Sequence, residues 1–260
     1  MSTTIMNWIN KQKAGQTTIT QQGNNNVISI GIAMTAYVNK VGEDGWVLIR
    51  VHRNQKKYAI CKYTKLTLMS LNDKHDRVVF KIEEGPLKGE IASMIIKNGI
   101  DKFISETPPA KFVPTIKVKY GKFVKNWYSQ PRNQYLDQQM ATLMVGNISV
   151  QVTLNSDWNP NNGRTPLAEG VYEIAIPDHE HNLEMTNFYK IGGKVVPNYG
   201  IWFPILPKSE QRYIHIGHLS HGCISIIDYE KYSQIHDYLI QHRGKGTNGQ
   251  DIVAILEVTK

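Results

Sequence analysis

The sequence predicts a mostly β protein built from two domains. Many short apolar runs are separated by turns that contain Gly, Pro or Asn, which is typical of strands in small barrels and sandwiches. The 13 tyrosines and 5 tryptophans favour strands and grooves lined by flat side chains. The proline-rich residues 107–114 resist both helix and central strand, so we expect the domain boundary there.

Composition and charge narrow the classes of partner. The net charge of +8 favours an anionic partner such as an acidic cell-wall polymer. No run of Lys and Arg is long enough for a nucleic-acid-binding tail, so we expect no nucleic-acid partner. No stretch approaches the ~20 apolar residues of a membrane-spanning helix, and we expect no membrane insertion.

The chain divides into three predicted segments. Residues 1–26 are expected to form a polar lead-in with a short helix around residues 5–9. Residues 27–112 are expected to form a small β barrel or sandwich with a binding role, and the Gly-rich residues 42–45 predict a hairpin between its first two strands. Residues 113–260 then form the second domain.

Within the second domain, the pattern predicts a helix over 133–140 and a tight hairpin at Gly146-Asn147. Near the end of the chain, Tyr232, Ile235 and Leu239 recur at helical spacing, and residues 251–258 form an apolar run. We therefore expect a short helix followed by a final strand.

The chemistry is concentrated in residues 213–226, which hold three of the nine histidines and one of the two cysteines. A thiol near pKa ~8.5 is mostly protonated at neutral pH, and a neighbouring histidine can take its proton and hold the ion pair. Gly222 permits a sharp turn beside Cys223, so that backbone N–H groups can face an oxyanion. Cys61 is expected to be a small core residue.

Two motifs in this domain resemble those of the L,D-transpeptidases, the cysteine enzymes that remodel peptidoglycan. The first is Ser220-His221-Gly222-Cys223 followed by the apolar Ile224. The second is a Thr-Pro pair followed by a glycine, an aromatic residue and a strand, matched by Thr165-Pro166, Gly170, Tyr172 and Ile174. The resemblance covers about residues 140–260 and implies an L,D-transpeptidase-like β domain with a short helix after the cysteine.

The resemblance implies roles for the residues of the first motif. Cys223 is the expected nucleophile and His215, on the preceding strand, the expected base, with His218 and His221 as alternatives. The seven residues between His215 and Cys223 are fewer than the family usually has. Ser220 is expected to orient the base, and Gly222 and Cys223 to donate backbone N–H groups to the oxyanion; the family counterpart of His221 has a structural or substrate-facing role.

Substrate contacts are also expected from the resemblance. The family favours Arg or Asn shortly after the cysteine, where this chain has Ser225, so Arg212 or Arg164 is expected to contact the substrate carboxylate instead. Tyr199 and Trp202 precede the catalytic strand, where the family builds a groove wall.

The implied function is cysteine acyl transfer on peptidoglycan stem peptides, giving cross-linking, D-amino-acid exchange or L,D-carboxypeptidation. Such chemistry requires no metal and no cofactor. One alternative is a catalytically inactive protein that binds the cell wall or a glycan. Another is a zinc hydrolase that uses His179 and His181, whose spacing places both rings on one face of a strand.

The expected place of action is the periplasm or cell wall. Residues 1–15 contain no apolar signal-peptide core. We therefore expect either that an export signal has been removed from this sequence or that the protein leaves by a route that reads no such signal, such as delivery into a target cell as an antibacterial effector. In the second case secretion machinery and an immunity protein are the expected partners.

Overall fold

The computed structural model describes residues 3–15, 33–72, 76–96, 99–157 and 165–260. These residues form two compact units. The first comprises the described residues up to Val41 together with Val47–Pro108, and the second comprises Gly42–Trp46 and Pro109–Lys260. The mostly β class and the short helix after Cys223 are confirmed.

The first unit contains one helix and seven strands that form a single curled sheet in the order β3-β2-β6-β5-β4-β1-β7. The bounds are α1 Thr3–Gly15, β1 Met34–Val38, β2 Trp46–Val51, β3 Lys57–Cys61, β4 Lys65–Asn72, β5 Arg77–Ile82, β6 Ile91–Ile95 and β7 Ile104–Ser105. Alternate residues of β5 are buried, as expected of a strand with one face on the core. Cys61 is buried and forms no disulfide with any described residue.

Helix α1 belongs to the core of this unit. Ile5 and Trp8 are 2% and 4% exposed and pack in the same apolar cluster as the strands. The predicted lead-in over residues 1–26 therefore differs from the structure at residues 3–15. Although most residues of the helix are polar, the spacing of the apolar ones places them on one face, and that face packs into the core. The polar residues 16–26 lie outside the described residues.

The predicted hairpin at residues 42–45 is wrong. Strand β1 pairs with β4 and β7, and β2 pairs with β6, so β1 and β2 are not neighbours. Segment Gly42–Trp46 instead packs within the second unit, where the indole of Trp46 donates to the carbonyl of Gly200 over 2.9 Å. The turn residues were identified from composition, which does not reveal the partner of a strand.

The second unit contains a closed eight-stranded barrel. Its strands follow the order β11-β14-β15-β16-β10-β9-β8-β18, and the pairing of β18 with β11 closes it. The bounds are β8 Thr115–Ser129, β9 Gln134–Val145, β10 Ile148–Ser156, β11 Gly170–Ala175, β12 Lys190–Ile191, β13 Lys194–Val195, β14 Phe203–Ile205, β15 Arg212–Ile216, β16 His221–Ile226, β17 Gly244–Lys245 and β18 Asp251–Thr259. The short hairpin β12–β13 stands apart, and β17 pairs with β18.

The predicted helix over residues 133–140 is wrong, because these residues enter the long strand β9. Strand β9 pairs with β8 on one side and with β10 on the other. Leu136, Gln138 and Met140 are buried at alternate positions, which is the period of a strand. Pairing on both edges overrides a local sequence with little strand propensity. The hairpin at Gly146-Asn147 joins β9 to β10 and is confirmed.

Helical elements are few in the described residues. Helix α2, Tyr232–Ile240, buries Tyr232, Ile235 and Leu239 as the helical spacing predicts. Short 3₁₀ turns occupy Ile100–Lys102, Leu183–Met185, Lys208–Glu210 and Tyr229–Lys231. None of the described helices is long and apolar enough to cross a membrane.

Candidate active site

Strands β15 and β16 are joined by only four residues although they run parallel. Ile216 at the end of β15 lies beside Ile226, five positions after the start of β16 at His221. Strand β16 is bulged near its start, because His221 and Ser225, four residues apart, face Asn155 and Thr153, only two residues apart on β10. The bulge, with Gly222 at a positive φ, shortens the distance that the chain must return. Four residues therefore suffice here, whereas parallel neighbours ordinarily need a dozen residues or more.

Side chains and neighbouring strands together satisfy the backbone of this connection, residues 217–220. The N–H of Gly217 donates to the carbonyl of Ile226 in β16 over 3.1 Å. The N–H of His218 donates to the hydroxyl of Tyr189 over 2.6 Å, and its carbonyl accepts from Gln138 over 2.7 Å. Ser156 bonds both backbone groups of Ser220, at 2.9 and 2.7 Å. Buried backbone groups must find partners, and these contacts fix the connection in one conformation.

The parallel pairing places the candidate catalytic residues on one face of the barrel wall. The isoleucines of both strands, at 214, 216, 224 and 226, are completely buried in the core. Because side chains alternate along a strand, the odd-numbered residues Tyr213, His215, Cys223 and Ser225 share the opposite face. His215 lies directly beside Ser225 in the register.

His215 has a defined tautomer. Its Nδ1 lies 2.7 Å from the carbonyl of Ile216, which can only accept, so Nδ1 carries the proton. Nε2 is therefore the basic nitrogen, and it lies 3.1 Å from the hydroxyl of Ser225. Burial lowers the pKa of His215 to about 4, although the bond to Ile216 opposes this. The ring is neutral at pH 7 and able to accept a proton.

Trp202 holds the His215 ring from one side. The two rings stack with centroids 4.1 Å apart and planes inclined by 13°. The opposite face of the indole carries His181, stacked at 4.4 Å and 11°. Rotation of the imidazole is thereby restricted. Trp202, which the sequence predicts in a groove wall, lines the cavity described below.

Cys223 is a free thiol that lines the same cavity as His215. Burial raises its pKa above the ordinary value, while the N–H of Tyr213 and the charge of Arg212 act in the opposite direction. With the pKa of His215 at about 4, both groups are neutral in the free protein. The ion pair expected from the sequence is therefore not the resting form.

The roles expected of Ser220 and Gly222 differ from the geometry. The hydroxyl of Ser220 donates to the carbonyl of Cys223 over 2.8 Å and accepts the N–H of Gly222 over 3.2 Å. Ser220 thus shapes the turn before the nucleophile, and the hydrogen bonds of the His215 ring go to Ser225 and Ile216. The Gly222 amide is already engaged, which leaves Cys223 as the predicted oxyanion donor.

The two sequence motifs meet at Gly222. Its φ is +99°, and a Cβ atom there would lie 2.7 Å from the carbonyl oxygen of Thr165, so only glycine fits. Arg212 joins the two segments, because its Nη1 donates to the carbonyls of Thr165 and Gly222 over 3.1 and 3.2 Å. Its Nε pairs with Glu210 at 3.0 Å. The substrate contact predicted for Arg212 is therefore replaced by a structural role.

The remaining predicted residues lie in different surroundings. His218 is buried with both ring nitrogens bonded, to Ser129 at 3.0 Å and to Ile227 at 3.2 Å, so it has no free basic nitrogen. His221 is exposed and lines the cavity, whereas Tyr199 does not line it. Arg164 lies outside the described residues.

The cavity has a volume of about 190 Å³ and includes residues that sequence reasoning missed. Arg132, in the turn between β8 and β9, and Tyr189 both contribute to its lining. Two buried donors in the lining, Arg132 Nε and Trp202 Nε1, have no hydrogen-bond partner among the described residues. Such donors are rarely left unpaired in proteins, and they favour a ligand rich in acceptor atoms. No sequence signal marks Arg132 or Tyr189, because they come from separate loops.

A second polar cluster lies beyond Trp202. Asp178, His179 and His181 place their ligand atoms within 4.8 Å of one another. Burial acts to raise the pKa of Asp178, but the neighbouring His181, His179 and Lys208 together hold it below its usual value. The carboxyl group is therefore ionised at neutral pH. These are the residues of the zinc alternative.

Comparison of the chain with models of known protein families, with curated proteins and with solved structures gives no match. The geometry of the site therefore carries the functional argument.

The low pKa of His215 predicts a dependence of stability on pH. A histidine in the unfolded chain takes up a proton below about pH 6.5, whereas His215 in the folded protein stays neutral down to about pH 4. Stability is thus fully present above the unfolded pKa and is lost as the pH falls towards the folded pKa. Between pH 7 and pH 5 this costs roughly 2 kcal/mol.

Urea unfolding of wild type and His215→Gln at both pH values measures this effect. We expect the variant to lose less stability on acidification, by about that amount. Equal losses in the two proteins would show that His215 is not held neutral by the fold.

Proposed function

We propose that the protein is a cysteine acyltransferase that acts on peptidoglycan stem peptides by L,D-transpeptidation, D-amino-acid exchange or L,D-carboxypeptidation. The observation that carries the proposal is the cavity itself. It combines the thiol of Cys223, the neutral imidazole of His215 and two unpaired buried donors. A nucleophile, a base and donors for an acceptor-rich substrate are the requirements of acyl transfer.

In the proposed reaction, Sγ of Cys223 attacks the carbonyl carbon between an L-centre and a terminal D-amino acid. The thiol proton passes to Nε2 of His215, and the carbonyl oxygen becomes an oxyanion. Collapse of this intermediate breaks the C–N bond, and the amine leaves with the proton from His215. The thioester then passes its acyl group to an amine or to water, which regenerates the thiol.

Ser225 supports the charged form of His215 during this cycle. When Nε2 is protonated it donates to the Ser225 hydroxyl, which in turn donates to the carbonyl of Leu219 at 3.0 Å. When Nε2 is unprotonated, the hydroxyl can turn and donate to it. Hydrogen bonds to charged groups contribute about 1.5–3 kcal/mol, so Ser225 offsets part of the cost of a buried imidazolium.

Arg132 is the proposed contact for the carboxylate of the terminal D-amino acid. Its Nε is buried without a partner among the described residues, and its guanidinium lies over the ring of Phe188 at 5.6 Å. A guanidinium recognises a carboxylate through paired, charge-assisted hydrogen bonds. Arg132 thus takes the role that the sequence assigned to Arg212 or Arg164.

Muropeptide conversion tests the proposed reaction. Purified wild-type protein incubated with tetrapeptide and pentapeptide muropeptides, with and without an added D-amino acid, should give trimmed, exchanged or cross-linked products by mass spectrometry. Cys223→Ala should form none, since no acyl-enzyme can form. His215→Gln should lose about 10²–10⁴-fold in kcat, the usual contribution of a general base.

Cys61→Ala is the matched control, because Cys61 is the other of the two cysteines and lies in the first unit. It should retain full activity. Unchanged muropeptides with wild-type protein, or products of equal yield from Cys223→Ala, would refute the proposed reaction.

The role of Arg132 predicts a specific dependence on the substrate carboxylate. Arg132→Met should raise KM for an acid-terminated stem peptide by about 10–100-fold, as expected for a charged hydrogen bond. A stem peptide with a C-terminal amide should bind equally weakly to wild type and variant, and Arg132→Lys should restore part of the loss. Equal effects of Arg132→Met on both peptides would exclude the carboxylate contact.

A binding function without catalysis is the alternative, and the protonation state of the site favours it. A thiol with a raised pKa beside an imidazole with a lowered pKa is unreactive until a substrate changes its surroundings. An inactive wall-binding protein would sediment with purified peptidoglycan yet leave every muropeptide unchanged. The conversion assay therefore separates the two functions.

The place of action follows from the substrate, because assembled peptidoglycan lies outside the cytoplasm. We propose action in the periplasm or cell wall, including delivery as an antibacterial effector by secretion machinery and neutralisation by an immunity protein in the producing cell. Expression directed to the periplasm of a susceptible bacterium should be toxic, and cytoplasmic expression should be tolerated. The number of viable cells should recover when the Cys223→Ala variant is expressed instead. Harmless periplasmic expression, or equal killing by this variant, would contradict the effector role.

A further inference from the structure

The cluster of Asp178, His179 and His181 has no part in the proposed acyl transfer. It lies in the connection after β11, and its central ring, His181, stacks on the face of Trp202 opposite to His215. Tyr213 contacts the same ring edge-on, with centroids 4.6 Å apart. Three aromatic contacts, including His179 at 4.3 Å, therefore fix the orientation of His181.

The Nε2 atom of His181 is buried and lacks a hydrogen bond of normal geometry among the described residues. It lies 3.4 Å from Oδ1 of Asp178, a contact longer than an ordinary hydrogen bond that still holds the pKa of Asp178 down. Nδ1 of His179 lies 3.2 Å from the same oxygen. The side chains of His181 and Asp178 are each only 12% exposed, so water has limited access to either group.

These distances fit ligands that converge on a common ion. At metal–ligand distances of about 2.0–2.2 Å, neighbouring donors of a tetrahedral site lie about 3.3–3.6 Å apart. The distance from Oδ1 of Asp178 to His181 Nε2, 3.4 Å, lies within this range, and the distance to His179 Nδ1, 3.2 Å, lies just below it. His179 is 62% exposed, and rotation of its ring can shorten the remaining separation, which lies within 4.8 Å. Lys208 approaches the other oxygen, Oδ2, at 3.9 Å and leaves Oδ1 to the cluster.

We propose that Asp178, His179 and His181 form a binding site for a divalent transition-metal ion. Two imidazoles and one carboxylate suit Zn²⁺ or Co²⁺, whereas Mg²⁺ and Ca²⁺ prefer sites made of oxygen. Three protein ligands leave a fourth position for water or an anion. The proposed ion lies on the side of the Trp202 ring opposite to His215, so the site is separate from the thiol of Cys223.

Metal uptake tests this site without any measurement of activity. Chelator-treated full-length protein in a Cys223→Ala background, which removes the cavity thiol, is dialysed against Zn²⁺ and analysed by elemental mass spectrometry and calorimetry. We expect a single zinc ion per chain. His181→Ala and the nearly isosteric Asp178→Asn should each weaken binding by at least about 100-fold.

Glu180→Gln is the matched control, because Glu180 lies between the two histidines, is exposed and is not part of the cluster. It should bind zinc like the parent. Circular dichroism shows whether each variant folds. If His181→Ala does not fold, the result for Asp178→Asn decides the test. Co²⁺ bound to protein with Cys223 intact should show tetrahedral absorption without a thiolate charge-transfer band.

No zinc uptake by the parent, or undiminished uptake by a folded His181→Ala or Asp178→Asn variant, would overturn the site. A thiolate band with Co²⁺ would place the ion at Cys223 and would equally overturn it. Each of these results is distinguishable from failure of the acyltransferase, because none involves a stem peptide.

Discussion

The short connection between β15 and β16 is the constraint on which the candidate site depends. Four residues join two parallel neighbours, and a bulge near the start of β16 shortens the distance that they cover. The register that this link accompanies places His215 beside Ser225. A slip by one residue would turn the side chains of β16 to the other face and separate the two.

The constraint also explains the buried polar side chains around the connection. The buried N–H and C=O groups of residues 217–220 need partners, and those of His218 and Ser220 find them outside the connection. Gln138 supplies one partner and also accepts the hydroxyls of Thr153 and Ser156, at 2.6 and 2.7 Å. A network whose members are all satisfied specifies one arrangement of the loop. These hydrogen bonds hold the connection in place, and the face that carries His215 and Cys223 stays open to the cavity.

Much of the fold could be predicted from the sequence, because strands, turns and the final helix leave local patterns. The hairpin at Gly146-Asn147 and the helix Tyr232–Ile240 follow from such patterns. The hairpin at residues 42–45 and the helix at 133–140 could not be judged in this way. Both depend on which distant segments pair with them, such as β8 and β10 on either side of β9.

The site shows the same division between local and distant information. A contiguous motif identified Cys223 and placed His215 on the neighbouring strand. The side chains around that pair come from separate segments, so the roles predicted for Arg212 and Ser220 are the ones proposed for Arg132 and Ser225. Arg212 itself is drawn away because Gly222 brings Thr165 within reach of its guanidinium.

The protonation states connect these contacts to the chemistry. Burial keeps both the Cys223 thiol and the His215 ring neutral in the free protein, which disfavours charge separation before a substrate arrives. The unpaired donors Arg132 Nε and Trp202 Nε1 face the same cavity. A carboxylate bound there would favour the protonated form of His215, whose Nε2–H the hydroxyl of Ser225 is placed to accept. In the proposed reaction, charge separation between Cys223 and His215 therefore waits until a substrate has replaced the surroundings that keep both groups neutral.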